Sequence, residues 1–294
     1  MIGRRLRGLP KGGGSGYALP YLSDLVSVQP AFAGSMNRVL IRGYSGSLFR
    51  LRKGASTTQD FSADFTGWVD FAAVYSFCNG NDVFLDILRN QTGAGHPLTA
   101  PGTTNQPKVW DASTGPTLLG VRLAGLWDGS NDNLNSDTSP SGYGFSTGNV
   151  AFTVASVGSG TGRHSGIGGA NAAQSFSVIT RSTSDTDCSV NINGSQRTFG
   201  CADVTQPNIY IGAKAASVTV ASYRCRQNGV ELSQSAITNG TTNLNLVDTG
   251  VRMGSNANAN ASFLTGKLNF LAFWTSLLSD ADMLGAETEM RRHI

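Results

Sequence analysis

Charge is scarce in this chain. Asp, Glu, Lys and Arg make up 14% of its 294 residues and leave a formal net charge of +3. So small and scattered a balance excludes a nucleic-acid groove, the N-terminus being the one basic concentration. No apolar run approaches the roughly 18 residues that a membrane-spanning helix needs, so no membrane partner is expected. The signatures G-x-S-x-G, H-E-x-x-H and the phosphate-cradling P-loop are all missing, and no cofactor is expected. Four cysteines (Cys78, Cys188, Cys201 and Cys225) lack zinc-ligand spacing, and a chain this long does not depend on staples. The opening MIGRRLRGLPKGGGSG has charges but no apolar centre, so it does not read as a secretory signal.

What is abundant is glycine, 37 residues, with Ser, Thr and Asn between short apolar runs. That pattern predicts many short strands joined by tight turns, hence an all-β sandwich. Residues 264–292 are the most informative stretch. Leu268, Phe270, Ala272 and Trp274 alternate with Asn269, Leu271 and Phe273, so this strand has apolar residues on both faces and should be buried between two layers. A helix follows, with Ser279 three residues before Asp282, acids in its first turn, a stripe of Met283, Leu284 and Met290, and Arg291 and Arg292 at its end. Residues 68–78 suit a second short helix with Phe71, Val74, Tyr75 and Cys78 on the core side. Further strands are expected at 38–53, 150–157, 175–181, 208–213, 217–224 and 244–253, and a loop at Gly166–Gly169. Residues 1–20, with Arg4, Arg5, Leu6, Arg7 and Lys11 before a glycine linker, form an extended arm; residues 21–294 form a single domain.

Residues 188–201 (CSVNINGSQRTFGC) read as a hairpin with two registers open. A turn at Gly194-Ser195 sets Cys188 opposite Cys201 at a non-hydrogen-bonded position, where Cα atoms lie about 4.5 Å apart and a cross-strand disulfide is permitted. A turn at Asn193-Gly194 slips the register and sets Cys188 opposite Phe199.

The closing G-x-L-x-(apolar)4-x-x-x-L-S-D-A pattern resembles the end of the concanavalin A-like, or laminin-G-like, jelly rolls of lectins, glycosidases and phage structural proteins. A second resemblance runs through Tyr44-Ser45-Gly46, Gln91-Thr92-Gly93-Ala94-Gly95, Gln106-Pro107 and Asp128-Gly129-Ser130-Asn131-Asp132. In that order these motifs are similar to the catalytic sandwich of family 54 α-L-arabinofuranosidases and to phage virion proteins. The resemblance implies an all-β, two-sheet antiparallel jelly-roll sandwich with a short C-terminal helix. It also sets Ser255 where those enzymes hold their general acid, and Asn191 and Asn193 near their nucleophile. Glycoside hydrolysis needs two carboxylates, so the expectation is that the chain is not an enzyme.

On that basis the expected function is a bacteriophage virion protein, located in the virion in several copies. Its arm residues 1–20 would dock on other virion structural proteins, and host-surface polysaccharide would be a second ligand. Trp110, Trp127 and Tyr143, with amides around them, are the candidate sugar-binding aromatics, although Trp127 and Trp274 equally suit the core. The alternative is a secreted carbohydrate-binding module or a diverged arabinofuranosidase-like glycosidase. Asp128 and Asp132 with Asn131 and Asn133 read as an Asx-rich turn rather than a calcium loop. His96 and His164 read as loop residues.

Overall fold

The computed structural model describes residues 19–168, 175–180, 187–192, 195–201, 203–238, 243–255 and 263–294. The docking arm therefore lies outside the described residues up to residue 18. Two sheets face each other. The back sheet runs from Arg224–Gln227 through Asn208–Lys214 and Phe152–Arg163 to Thr265–Trp274. The outer edge of Thr265–Trp274 is shared by Phe32–Ser35 and Gly125–Asp128. The front sheet runs Thr57–Ser62, Ser47–Lys53, Val83–Leu88, Leu98–Thr99, Leu134–Ser136, Gly250–Met253 and Ser165–Gly168. All these pairings are antiparallel. Lys108–Asp111 pairs both with Val83–Leu88 and with Gly125–Asp128, tying the two sheets at one edge.

Between the sheets lies the main core, holding Phe32, Phe49, Leu88, Leu134, Met253 and Phe273 among others. A second apolar layer covers the back of the back sheet, where Ala155, Ile209, Ile211, Phe270 and Trp274 meet Met283, Ala286 and Met290 of the helix Asp280–Met290. The last strand is thus buried on both sides, as its run of apolar residues predicts. Its alternation is broken once: the pairing with Phe152–Arg163 slips between Val157 and Gly158, leaving Asn269 as an extra residue. The bulge turns Leu268 into the main core beside Leu271 and Phe273, while Phe270, Ala272 and Trp274 face the helix. Strict alternation would have put Leu268 with the latter.

The helix begins as its sequence predicts: the Ser279 hydroxyl accepts from the Asp282 N–H at 3.1 Å, and the Asp282 carboxylate accepts from Ser27 across the interface. A Cβ at Gly285 would meet the Leu25 carbonyl oxygen at 1.9 Å, so glycine is what lets this helix lie against the short N-terminal turn Leu22–Leu25. Leu284, predicted for the buried stripe, is 57% exposed.

Other local expectations need correction. In the helix Phe71–Cys78 the buried side is Val74, Phe77 and Cys78, while Phe71 and Tyr75 are 39% and 51% exposed. The segment Gly166–Gly168, expected to be a loop, belongs to the strand Ser165–Gly168; at 217–224 there is a 3-10 turn, Val220–Ser222, before the strand Arg224–Gln227. In the hairpin of Asp187–Ile192 with Ser195–Gly200, Ile192 pairs with Ser195 and Cys188 with Phe199. This is the register that separates Cys188 from Cys201, so the pairing needed for the cross-strand disulfide is not the one formed.

Candidate functional site

Side chains with chemistry converge on the outer face of the front sheet. Directly opposed residues of neighbouring strands point to the same side. The row Asp60–Arg50–Ile87–Thr99–Asn135–Arg252 therefore crosses five strand boundaries on one face. The next residues along each strand (Phe49, Leu88, Leu98, Leu134, Met253) point into the core. Gly166, opposite Arg252, ends the row with no side chain.

The two ends of this face differ. At one end Asp60 takes Arg50 at 2.7 Å and Arg89 at 2.8 Å. Burial pushes the Asp60 carboxyl up, but the two guanidiniums outweigh it and hold it below the ordinary range. Beside them Arg52 lies over the Phe84 ring at 5.0 Å and donates to Gln106, whose amide donates to Asp86 at 2.7 Å. At the other end Arg252 has no ion pair among the described residues, although the first end also leaves Arg89 Nε buried without a hydrogen-bond partner. Asn135 Oδ1 and Arg252 Nη1, on half-buried residues paired across adjacent strands, are both screened from solvent and both lack a hydrogen-bond partner. Burial lowers the pKa of Arg252. Polar atoms so placed normally have partners, because an unpaired one costs about 1–3 kcal/mol.

The strand carrying Asn135 is entered through an Asx turn, as expected. Asp128 Oδ1 accepts from Ser130 N–H at 2.8 Å, and Asp132 Oδ2 accepts from Asp128 N–H at 3.0 Å. Burial, with the Asp128 charge added, pushes the Asp132 carboxyl up to about 6. Asn133 lies beside it with a buried Oδ1 that also lacks a partner.

The aromatic residues expected to bind sugar are elsewhere. Trp110, Trp127 and Tyr143 are 3%, 0% and 5% exposed, so none offers a ring face to a ligand. Trp110 packs edge-on against Tyr75, and Tyr143 sits between Phe32 and Phe273 with its hydroxyl donating to the His96 carbonyl. His96 is a loop residue and contacts Asp137 at 2.9 Å. His164 is instead fully buried where the chain passes from the back sheet to the front, with Nδ1 3.0 Å from the Ser156 hydroxyl; burial pulls it down to about 3. Ser255 is fully buried three residues beyond Arg252, and the side chains of Asn191 and Asn193 lie outside the described residues. Arg252 and Asn135 carried one readable signal, their out-facing place between core residues, but nothing in the linear order joins them.

Two facing antiparallel sheets with a short C-terminal helix define a jelly-roll sandwich. Among the structures it is similar to are arabinofuranosidases. Over 89% of its length the chain matches an arabinofuranosidase complexed with arabinofuranosyl-α-1,2-xylobiose, with 15% identity and a TM-score of 0.66. Over the same share it matches a GH54 α-L-arabinofuranosidase soaked with a cyclic sulfate inhibitor, with 16% identity and a TM-score of 0.67. It spans 62% of the length of each. No family profile matches the chain, and no curated protein does.

These likenesses establish the fold and correct two expectations. The virion assignment is contradicted: the structures matched over 89% of the chain are arabinofuranosidases, and none of these likenesses supports a particle component. The expectation that the chain is not an enzyme fails as well, since the fold is that of catalytic glycosidases. That expectation rested on two aligned positions, whereas in a sandwich a carboxyl can be supplied by other loops at the sheet's edge.

Proposed function

We propose that this protein is a glycan-binding jelly roll that recognises a saccharide on the outer face of its front sheet, around Thr99 and Asn135. The observation that carries the reading is the unpartnered Asn135 Oδ1 on a half-buried residue of that face. A sugar hydroxyl both donates and accepts, so it meets such a group without a change of protonation. The arabinofuranosidase likeness supports the ligand class and suggests arabinose- and xylose-containing oligosaccharides as the first probes.

Hydrolysis is a second reading, favoured by Asp132. With a pKa near 6 this carboxyl is partly protonated at mildly acidic pH, the state required to protonate a leaving group.

Binding is measured by titration calorimetry against arabino- and xylo-oligosaccharides, with Asn135→Ala as the control. The expected result is saturable binding weakened at least about tenfold by the substitution, the cost of one lost buried hydrogen bond. Absence of binding to every saccharide overturns the proposal. For hydrolysis, 4-nitrophenyl arabinofuranoside should be cleaved by the natural chain and not by Asp132→Asn; equal rates overturn the role of Asp132.

A further inference from the structure

Resting on the saccharide reading above, we infer that the ligand is an acidic glycan whose uronate carboxylate is bound by the guanidinium of Arg252. Arg252 is half-buried on the binding face, and no carboxylate pairs with it among the described residues. Contrast the other arginines of this face: Arg50 and Arg89 share Asp60, and Arg52 is held by Gln106 and by the Thr103 and Gly54 carbonyls. On this face Arg50 and Arg89 meet Asp60, Lys108 meets Asp82 and Asp111, and Arg52 meets neutral oxygens, which leaves Arg252 as the guanidinium without a partner among the described residues. An unmatched positive charge on that face attracts an anion more strongly than a neutral ligand.

The geometry favours a carboxylate over a bulkier anion. A guanidinium is planar and presents paired N–H donors that match the two oxygens of a carboxylate. Arg252 is flanked in the row by Asn135 on one strand and by the side-chain-free Gly166 on the other. Asn135 then stands beside it for a ring hydroxyl on the same sugar. Burial already disfavours the charged form of Arg252. An arriving carboxylate therefore restores what desolvation removes, whereas a neutral sugar leaves the charge uncompensated.

The test compares oligogalacturonate, a sulfated oligosaccharide and a neutral xylo-oligosaccharide of equal length, measured by calorimetry at two ionic strengths on the full chain. The expected result is oligogalacturonate bound at least about tenfold more tightly than the neutral sugar, with a preference that shrinks in high salt. In Arg252→Gln the acid-to-neutral ratio should fall to about one, and in Arg252→Lys, which keeps the charge but loses the fork, it should fall part of the way. The preference of the natural chain and its salt dependence require no variant, so a misfolded Arg252→Gln does not rescue the idea. Equal binding of acidic and neutral sugars overturns the uronate inference and leaves the saccharide reading standing. Tighter binding of the sulfated probe overturns the carboxylate in favour of a sulfate ester. Binding of no saccharide overturns both readings together.

Discussion

Two arginines of this protein, Arg38 and Arg252, show how differently one chain treats the same charge. Arg38 is 2% exposed and its Nε stands 3.2 Å from Glu289, itself fully buried and also paired with Arg292 and His293. Trp68 stacks on Arg38 at 5.1 Å, and the Pro20 carbonyl accepts from it at 3.3 Å. Its charge is answered by an acid from within the chain, although Nη1 is left buried without a hydrogen-bond partner, and the ion pair ties the C-terminal helix to the segment that follows Phe32–Ser35. Arg252 has a backbone position as regular as any in the front sheet, yet no acid answers it. A charge that serves the fold is met by an acid of the fold; a charge on the sheet's outer face that meets none is free to serve a ligand.

The largest effect should come from breaking the closed site. Glu289→Gln leaves Arg38 and Arg292 buried against a neutral group and should cost about 3–5 kcal/mol in chemical denaturation; a loss under about 1 kcal/mol would show that the cluster is not what holds the helix. Next comes the response of the closed interior to acid. Burial lowers the pKa of His164 to about 3 and also lowers that of His293, so the unfolded state takes up protons that the folded state refuses. Their contribution is complete above the ordinary histidine pKa of about 6.5 and is lost as pH falls below it, by about 1.4 kcal/mol per pH unit for His164. Denaturation midpoints at pH 6.5 and pH 5 should differ by about 2 kcal/mol, and a His164→Gln chain that keeps the full difference would refute the assignment. Smaller again, Asn135→Asp gives Arg252 an acid of its own and should raise stability by about 1 kcal/mol in a thermal melt, closing the open site from within. Least of all, Arg252→Met should change stability by less than about 0.5 kcal/mol, since no intramolecular bond is removed; a loss above about 2 kcal/mol would make Arg252 a structural residue.

Legibility followed the range of the interaction. The strand Thr265–Trp274 and the cap at Ser279 were readable because alternation and capping are set by residues within a few positions of each other. The bulge at Asn269 was not, because it is imposed by the neighbouring strand, and it moved Leu268 to the other core. The helix Phe71–Cys78 was placed correctly in the chain but with its exposed and buried aromatics confused, since apolar spacing names a stripe without saying which neighbour covers it. For the same reason Trp110, Trp127 and Tyr143 suited a sugar as well as they suited a core, and burial alone separated the two.

By itself the amino-acid order determined that this is a sandwich of short antiparallel strands ending in a capped helix, because turn residues, alternation and helix caps act locally. Only the tertiary structure decided which face is open. Strands far apart in the chain bring Thr99, Asn135 and Arg252 into one row, and pairing of that kind is selected by the packing of the whole core beneath it.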